Sequence, residues 1–459
     1  MQQSVRIPLP SEVTFVLERL RRAGFSCYAV GGCVRDALLG RAPNDWDVTT
    51  SATPSQMQDV FSDLRRIETG IRHGTLTVLV EGVPLEITTF RSDGIYLDNR
   101  HPSSVTFSST VEEDLARRDF TVNAMAYHPE EGLIDLYGGA KDLRTRTLRC
   151  VGVAEQRFRE DGLRILRALR FSSVLDFEIE KETAAAIHSC RALLTNIAWE
   201  RIREEFFKLL VGRGAPRILR DYTDVLEVIL PEITPSVHFL QHSKYHCDDV
   251  YEHTVRAISY APPRLRVRLA LFLHDLGKPH VKTEDAEGWH FKGHAKVSAA
   301  LSRDVLNRLC VDNATKDAVI ELVEQHDRPL LSTKRAVKRL MCHHEDEWIH
   351  DLLSVQRADR MSHAPGYNTP SPVLEEIPRV MREIHEEGAC LSLSSLAVKG
   401  GDLMELGIPR GKRIGELLHA LLEEVLEERL PNERAVLLEA AARMQATRAE
   451  NDQKEIKPC

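Results

Sequence analysis

The sequence predicts an α/β head followed by a long all-α body, and three observations predict it. Strand-like and helix-like runs alternate over the first 145 residues. From about Ala154 onward, Leu, Ile and Ala recur at helical spacing instead. Pro231, Pro235, Pro262 and Pro263 then break the helical part into groups.

Taken in order, Ser11 to Ala23 predicts a helix with Ser11 as its N-cap and Gly24 as its stop. Cys27 to Val30 predicts a short strand running into Gly31-Gly32 and a helix that ends near Gly40. Asp45 to Thr50 reads as a strand, and Thr53-Pro54 as a cap followed by proline at the first helical position. Gly74 to Val80 and Leu85 to Arg91 are β-rich runs joined by a hairpin at Glu81-Gly82. In the body a second boundary is expected between Pro365 and Pro378, and a frayed polar tail from Asn451. No internal repeat or low-complexity segment is visible. A chain of 459 residues admits about three domains. The expected divisions are a head over 1–145, a helical neck and body over 146–232, a further helical domain over 240–365 and a helical tail over 380–450.

Composition excludes several classes. Hydrophobic residues make up 42% and charged residues 28%, ordinary for a globular protein with a real core. No apolar run approaches the roughly 20 residues of a membrane-spanning helix, and Met1 to Pro10 has no charged-then-apolar leader pattern. A cytoplasmic location without a membrane partner is therefore expected. Nine cysteines are scattered without a C-x-x-C pair, which predicts reduced thiols rather than a zinc ribbon or a disulfide framework. The net charge is −8, so a nucleic-acid partner must meet a locally basic surface.

The richest segment is Tyr28-Ala-Val-Gly-Gly-Cys-Val-Arg-Asp36, followed by Asn44-Asp-Trp-Asp-Val48. Strand, two glycines and helix is an arrangement that lets backbone N–H groups approach a phosphate. Asp45 and Asp47 are two apart on the predicted strand, so both carboxylates are expected on one face. Such a face can hold Mg²⁺ between protein and triphosphate oxygens. Glu86, on the later strand, is either a third ligand or a partner one layer back. Nucleotidyl transfer fits this design.

The head then resembles a known family. Gly31-Gly-Cys-Val-Arg-Asp36 with Asp45-Trp-Asp47 resembles the first signature of the class II tRNA nucleotidyltransferase and bacterial poly(A) polymerase family. Arg117-Arg-Asp-Phe-Thr-Val-Asn-Ala124 resembles the second, Arg159 to Phe171 the nucleotide-choosing helix, and Trp199 to Glu205 the last. The resemblance covers the first half of the chain, in the family's order. It implies a polymerase-β-like nucleotidyltransferase head, with Asp45 and Asp47 as Mg²⁺ ligands and Glu86 beside them. It implies a nucleotide-binding set of Gly31, Gly32, Arg35, Arg118, Asp119, Asn123, Glu160, Asp161, Arg164 and Arg167. Arg118, Asp119 and Asn123 are expected to hold ribose and triphosphate. Gly31 also reads as a plain helix-start glycine, and Arg117 as a solvated charge or a contact.

Asp161 and Arg164 lie three apart, hence on one face of a predicted helix. A carboxylate accepts hydrogen bonds and a guanidinium donates them. Cytosine and adenine each place an amino donor beside an unprotonated ring nitrogen, which this pair matches. Uracil and guanine present a carbonyl beside a ring N–H, which it does not. A surface ion pair is the alternative for an isolated E-D-x-x-R helix. The segment Ser92 to Ser109, with Asp98, Asn99, Arg100 and Pro102, resembles the loop that CCA-adding enzymes need to switch from C to A, at full length.

A second set follows: His253, His274-Asp275 and Asp359, with His294 and His326 as extra histidines, all on predicted helices. Imidazole and carboxylate ligands from separated helices suit a transition metal such as Ni²⁺, Mn²⁺ or Fe²⁺. The set resembles the HD phosphohydrolase superfamily, an active site for phosphoesters such as a 2′,3′-cyclic phosphate or a structural remnant. His246, His343 and His344 are read as surface histidines. Val398 to Leu403 with Leu406 to Gly415 resembles the family's tRNA-gripping tail, where Gly411 starts a helix or a plain hairpin turn. The acidic run Glu416 to Glu428 is expected to face away from RNA.

The expected function is addition of C, C and A to the tRNA 3′ end from CTP and ATP. A poly(A) polymerase or a partial CC- or A-adding enzyme shares every head motif. An HD phosphohydrolase with a nucleotide-binding head and a small-molecule nucleotidyltransferase are more distant alternatives.

Overall fold

The computed structural model describes residues 6–71, 74–93, 105–108, 110–286 and 288–455. The tip of the loop singled out above, with Asp98, Asn99, Arg100 and Pro102, lies outside the described residues. The chain divides into two compact units, residues 1–237 with 303–312, and residues 238–302 with 313–459.

The first unit opens with α1 (Ser11–Arg22), whose Val13, Val16, Leu17 and Leu20 repeat at i, i+3, i+4 and i+7 and are buried. Ser11 is the first helical residue; Pro10 is the N-cap, with extended backbone, and its carbonyl accepts from Thr14. Gly24 ends the helix as expected, with φ +88°. Strands β1 (Cys27–Val30), β2 (Asp47–Thr50), β3 (Arg66–Ile67), β4 (Thr75–Val80) and β5 (Val83–Thr89) follow. Short β6 (Arg91–Asp93) pairs with β7 (Val105–Phe107), and β8 (Ala126–His128) and β9 (Gly132–Ile134) complete the head. Seven of these form one sheet in the order β3-β4-β5-β2-β1-β8-β9. The pair β2–β5 is parallel and sets Asp47 opposite Glu86. Glu81 and Gly82 both have positive φ, the tight turn that a two-residue hairpin requires.

Helices α2 (Gly32–Leu38), α3 (Pro54–Val60), α4 (Val111–Ala116) and α5 (Gly139–Thr145) complete the head. The Thr53 cap of α3 is a full capping box with Gln56. A core of α1, α3 and sheet residues includes Leu17, Leu20, Phe61, Leu76 and Ile87. The neck comprises α6 (Ala154–Glu160), α7 (Leu163–Leu175), α8 (Lys181–Cys190), α9 (Trp199–Leu210), α10 (Ala215–Asp221) and α11 (Thr223–Ile229).

The second unit is helical: α12 (Val250–Tyr260), α13 (Leu265–Leu273), α14 (Lys278–Val281), α15 (His294–Arg308), α16 (Asn313–Gln325), α17 (Lys334–His343) and α18 (Asp346–Met361). Residues 303–308 of α15 group with the first unit. The chain continues with α19 (Pro372–Glu386), α20 (Gly400–Glu405), α21 (Lys412–Leu426) and α22 (Arg434–Glu455). Two expectations are corrected here. Pro378 lies inside α19 and does not mark a boundary, because Leu374, Ile377, Val380, Met381 and Ile384 bury an apolar stripe straight through it. The terminal helix continues past Asn451 to Glu455. Gly411 is the N-cap of α21. The end of the acidic run is occupied: just past α21, Glu427, 1% exposed at its side chain, pairs with Arg335 and Arg339 of α17, and the following Glu428 pairs with Lys338. No described helix is long and apolar enough to cross a membrane.

Candidate active site and candidate metal centre

Asp47 heads β2, with Glu86 across from it in the parallel register. Asp45, expected on the same strand, precedes it. Pairing with β1 ends at Ala29–Val48, where β1 enters the Gly31 turn, so nothing extends the ladder to Asp45. Burial in the cleft, then the neighbouring charges of Asp45 and Glu86, push the Asp47 carboxyl up to about 6, although the residue keeps an exposed face. Arg118 opposes the shift and does not cancel it. A divalent cation between these groups would remove the repulsion, so the donor set fits Mg²⁺.

A cleft of about 430 Å³ contains this pair. Its lining also includes Arg91, Arg117, Arg118, Asp119, Asp161, Arg164, Arg167 and Arg201. Six arginines against four carboxylates leave a positive surplus suited to a triphosphate. The cleft therefore brings Asp47 and Glu86 together with Asp161 and Arg164.

The supporting layer explains the placements. Asp119 is buried; its Oδ2 accepts from Arg167 Nε at 2.9 Å and Nη2 at 2.6 Å, and its Oδ1 from Asn123 Nδ2 at 3.2 Å. Burial opposes its ionisation, but Arg167 prevails and holds it at about 2. Arg35 and Asn123 do not line the cleft; Arg35 donates to Asp36 and, at 2.7 Å, to the Asn123 carbonyl. Gly31 adopts φ +82°, and a Cβ there would stand 2.9 Å from Arg118 Nη1. The arginine tip could give way, but the positive φ, beyond a plain helix start, requires glycine. Gly32 begins α2 behind it.

Asp161 and Arg164 do not share a continuous helix. Asp161 caps α6 with extended backbone, φ −141° and ψ 107°, and α7 starts two residues later. Asp161 instead accepts from Leu163 N–H and from Arg201, each at 3.0 Å, which holds its carboxylate at the cleft wall. Arg164 pairs with Glu160 and donates to the carbonyls of Arg157 and Arg117. Glu160 sits behind the cleft as the brace of Arg164.

Asp114 escaped the sequence reading. Its carboxylate is fully buried and accepts from Arg117 at 2.7 Å and Arg118 at 3.0 Å. Burial raises its pKa, yet the two guanidiniums leave it below the usual carboxylate range. Its signal was the i, i+3 and i, i+4 spacing to those arginines. Arg170 with Glu205 and the Phe171 ring under Arg35, Arg167 and Arg170 form a further brace.

In the second unit, His253, His294 and Asp359 lie on helices, whereas His274-Asp275 and His326 follow the ends of α13 and α16. All six converge. His274, His294 and His326 each direct Nδ1 at a backbone carbonyl, of Leu271 (2.6 Å), Phe291 (2.9 Å) and Val323 (2.7 Å). A carbonyl only accepts, so Nδ1 carries the proton and Nε2 presents its lone pair. His253 Nδ1 meets Ser362 Oγ at 3.0 Å. The Nε2 atoms face carboxylates: His253 and Asp359 at 2.9 Å, His274 and Asp275 Oδ2 at 3.1 Å, His294 and Asp275 Oδ1 at 3.3 Å. His294 and His326 bring Nε2 to Nε2 at 3.1 Å. Among the described residues, His274 Nε2 and Asp275 Oδ1 are buried without a hydrogen-bond partner, while Asp275 Oδ2 has Lys278 Nζ at 2.7 Å. Lone pairs facing lone pairs at the floor of a cavity call for cations beyond the Lys278 ammonium. Ligand atoms of His253, His274 and Asp359, and of His274, Asp275 and His326, lie within 4.8 Å of one another. Burial alone would lower His274, yet Asp275 and Asp359 push it up to about 10, the same demand for positive charge.

Two surface assignments are corrected. His246 lines the cavity above this site and meets His253 edge-on at 4.7 Å, because the 243–246 loop is tied down by Ala364 N–H on the Tyr245 carbonyl. His344 stacks on Trp348 at 3.8 Å and is half-buried. His343 remains exposed.

A polymerase-type head, a carboxylate pair at a basic cleft and a helical neck define a nucleotidyltransferase, and residues 27–149 match the family described as "Poly A polymerase head domain". Residues 176–236 match "Probable RNA and SrmB- binding site of polymerase A" and residues 283–441 "tRNA nucleotidyltransferase domain 2 putative". The chain belongs to the family of CCA-adding enzymes. It is 33% identical over 430 residues to the CCA-adding enzyme of Limosilactobacillus fermentum, covering 94% of this chain and 96% of the relative. It is 50% identical to that of Lactobacillus delbrueckii subsp. bulgaricus over 207 residues, 45% of this chain and 52% of the relative, so that match spans about half the relative's length. The solved Bacillus stearothermophilus CCA-adding enzyme in complex with CTP superposes with a TM-score of 0.73 at 30% identity, over 96% of this chain and 98% of that one. The Thermotoga maritima enzyme complexed with tRNA shares the fold at a TM-score of 0.59 and 20% identity, over 95% of this chain and 96% of that one.

The Asp119–Arg167 bond predicts a pH signature. A depressed carboxyl stabilises the fold above its ordinary value near 4, and that contribution fades as pH falls toward 2. Asp119→Asn should cost the first unit about 2 kcal/mol at pH 7. In urea unfolding the gap to the wild type should stay constant from about pH 8 to 5 and close on acidification.

Proposed function

We propose that the chain adds C, C and A to the 3′ end of tRNA from CTP and ATP, releasing pyrophosphate. The observation that carries this reading is the single cleft containing both the Asp47–Glu86 pair and the Asp161 and Arg164 side chains. Asp45, Asp47 and Glu86 would hold Mg²⁺, which would supply charge to draw the attacking hydroxyl and the triphosphate together. Arg117 and Arg118, braced on Asp114, meet phosphate oxygens. Asp119 and Asn123 fix Arg167 and the ribose end of the cleft. Asp161 accepts from the amino group of cytosine or adenine, and Arg164 donates to the adjacent ring nitrogen. Uridine and guanosine would face like against like, and a polar group left unpaired in a closed cleft costs about 1–3 kcal/mol. On this reading the neck and the tail carry the tRNA, and the basic groups Arg410, Lys412 and Arg413 beside the Gly411 cap contact its phosphates.

Purified protein given tRNA that ends before CCA, with labelled CTP and ATP, should yield products exactly three nucleotides longer at single-nucleotide resolution. Long A tracts or arrest after two C residues would contradict the assignment. Arg164→Ala should lower incorporation of both C and A by about 10-fold or more, while unchanged nucleotide choice would overturn the role given to that residue.

For the second unit we infer a two-metal site of the HD type. His253, His274, Asp275 and Asp359 hold one divalent transition metal, and His294 and His326 hold a second, with Asp275 between them. The opposed Asp275 oxygens support this: Oδ2 faces His253 and His274, and Oδ1 faces His294 and His326. Metals held by these residues would polarise a phosphoester and lower the cost of activating water. Protein purified without chelator should carry close to two equivalents of Mn²⁺, Ni²⁺ or Fe²⁺ by elemental analysis. His274→Ala should lose them without impairing CTP addition; retention of metal in that variant would contradict the site.

A further inference from the structure

The cavity above the HD-type site, about 1110 Å³, has a wall that the proposed ligands do not use. Tyr245 lines it and is 44% exposed; Tyr367, 40% exposed, meets Tyr245 edge to face with ring centroids 4.8 Å apart. The pair is held by backbone bonds, Ala364 N–H to the Tyr245 carbonyl at 2.8 Å and Tyr367 N–H to the Ala364 carbonyl at 3.0 Å. Deeper in, His246 and His363 meet at 4.9 Å, and His246 packs on the ligand His253. Aromatic side chains therefore line a path from solvent toward the metal ligands. The buried Nδ1 of His246 has no hydrogen-bond partner among the described residues.

Charge complements this wall. Lys244, Lys292, Arg328 and Arg360 line the same cavity, while Lys278 is spent on Asp275 and Gln241. The volume exceeds the roughly 300 Å³ at which small-ligand sites begin, so it accommodates more than a single phosphate ester. Exposed rings beside clustered cations and a metal-ligand floor are what a single strand with a terminal phosphate requires: bases stack on rings, and phosphates meet cations.

We propose that Tyr245 and Tyr367 form a base-stacking shelf that holds the phosphorylated end of single-stranded RNA over the HD-type site. The inference rests on the two-metal reading above and adds the substrate class. In the reaction, the oxygen of water bonds to phosphorus and the ester P–O bond breaks. The electron pair of that bond leaves with the ribose oxygen, which takes up a proton released by the attacking water.

Two measurements on the full chain test it. In EDTA, pentauridylate carrying 5-iodouridine next to a terminal phosphate is irradiated with the protein, and the adduct is mapped by mass spectrometry. Adducts at Tyr245 or Tyr367 are expected for a 3′- or 5′-phosphorylated oligomer; adducts found only at other residues overturn the shelf. With Mn²⁺ present, Tyr245→Ala should raise the KM for the phosphorylated pentanucleotide about tenfold more than the KM for bis(p-nitrophenyl) phosphate. Tyr245→Phe should restore it, because stacking needs the ring and not the hydroxyl. Equal effects on the two substrates, or an equal KM for uridine 3′-monophosphate and the pentanucleotide, overturn the shelf and leave the metal site standing. Absence of bound Mn²⁺, or of hydrolysis of either substrate, overturns the metal reading itself.

Discussion

The buried bond between Asp119 and Arg167 is the constraint on which the first unit depends. It joins the segment after α4 in the head to the middle of α7 in the neck. Together with Arg164, which donates to the Arg117 carbonyl, it sets the distance between the neck side chains that line the cleft and the carboxylates of the sheet. Two further bonds hold the neck itself together: Arg201 of α9 on Asp161, and Arg170 of α7 on Glu205 of α9. Each takes a charged group out of water and supplies its partner, which is why the network is costly to break at one member and economical when complete.

The two sites share one electrostatic logic. Each gathers carboxylates or lone pairs at one point, and at Asp47 the neighbouring Arg118 does not cancel them. At the head, Asp47 faces Glu86 across the parallel ladder with Asp45 nearby, and the carboxyl rises to about 6. In the second unit, imidazole lone pairs and carboxylates converge with their buried atoms unsatisfied. The surroundings differ. Arginines crowd the first cleft, as a triphosphate requires, whereas aromatic rings and lysines line the second cavity.

Much of this was legible in the sequence because it is local. The strand–Gly-Gly–helix turn, the Thr53-Pro54 cap and the Glu81-Gly82 hairpin are set by backbone chemistry within a few residues, and they form where expected. The site residues were named from motif order, and the cleft brings Asp47, Glu86, Arg118, Asp119, Asp161, Arg164 and Arg167 together. What was not legible depends on partners far along the chain. Periodicity placed Asp161 and Arg164 on one helix, but Arg201, 40 residues on, holds Asp161 at a break. Its spacing to Asp47 placed Asp45 on the strand, but no neighbouring strand reaches it. His246 looked like a surface histidine because the segment that ties its loop down, around Ala364, is more than a hundred residues away. Asp114 reads as one acid among three in a short helix, and its spacing to Arg117 and Arg118 gains meaning only through its burial.

The central claim is that base choice is made by protein groups in the same cleft that holds the triphosphate. Equilibrium binding of the four ribonucleoside triphosphates in Mg²⁺, without any RNA present, tests it most directly. CTP and ATP should bind, with UTP and GTP weaker by roughly tenfold or more. Equal affinity for all four, in a protein whose Arg164 and Asp161 are intact, would contradict the account.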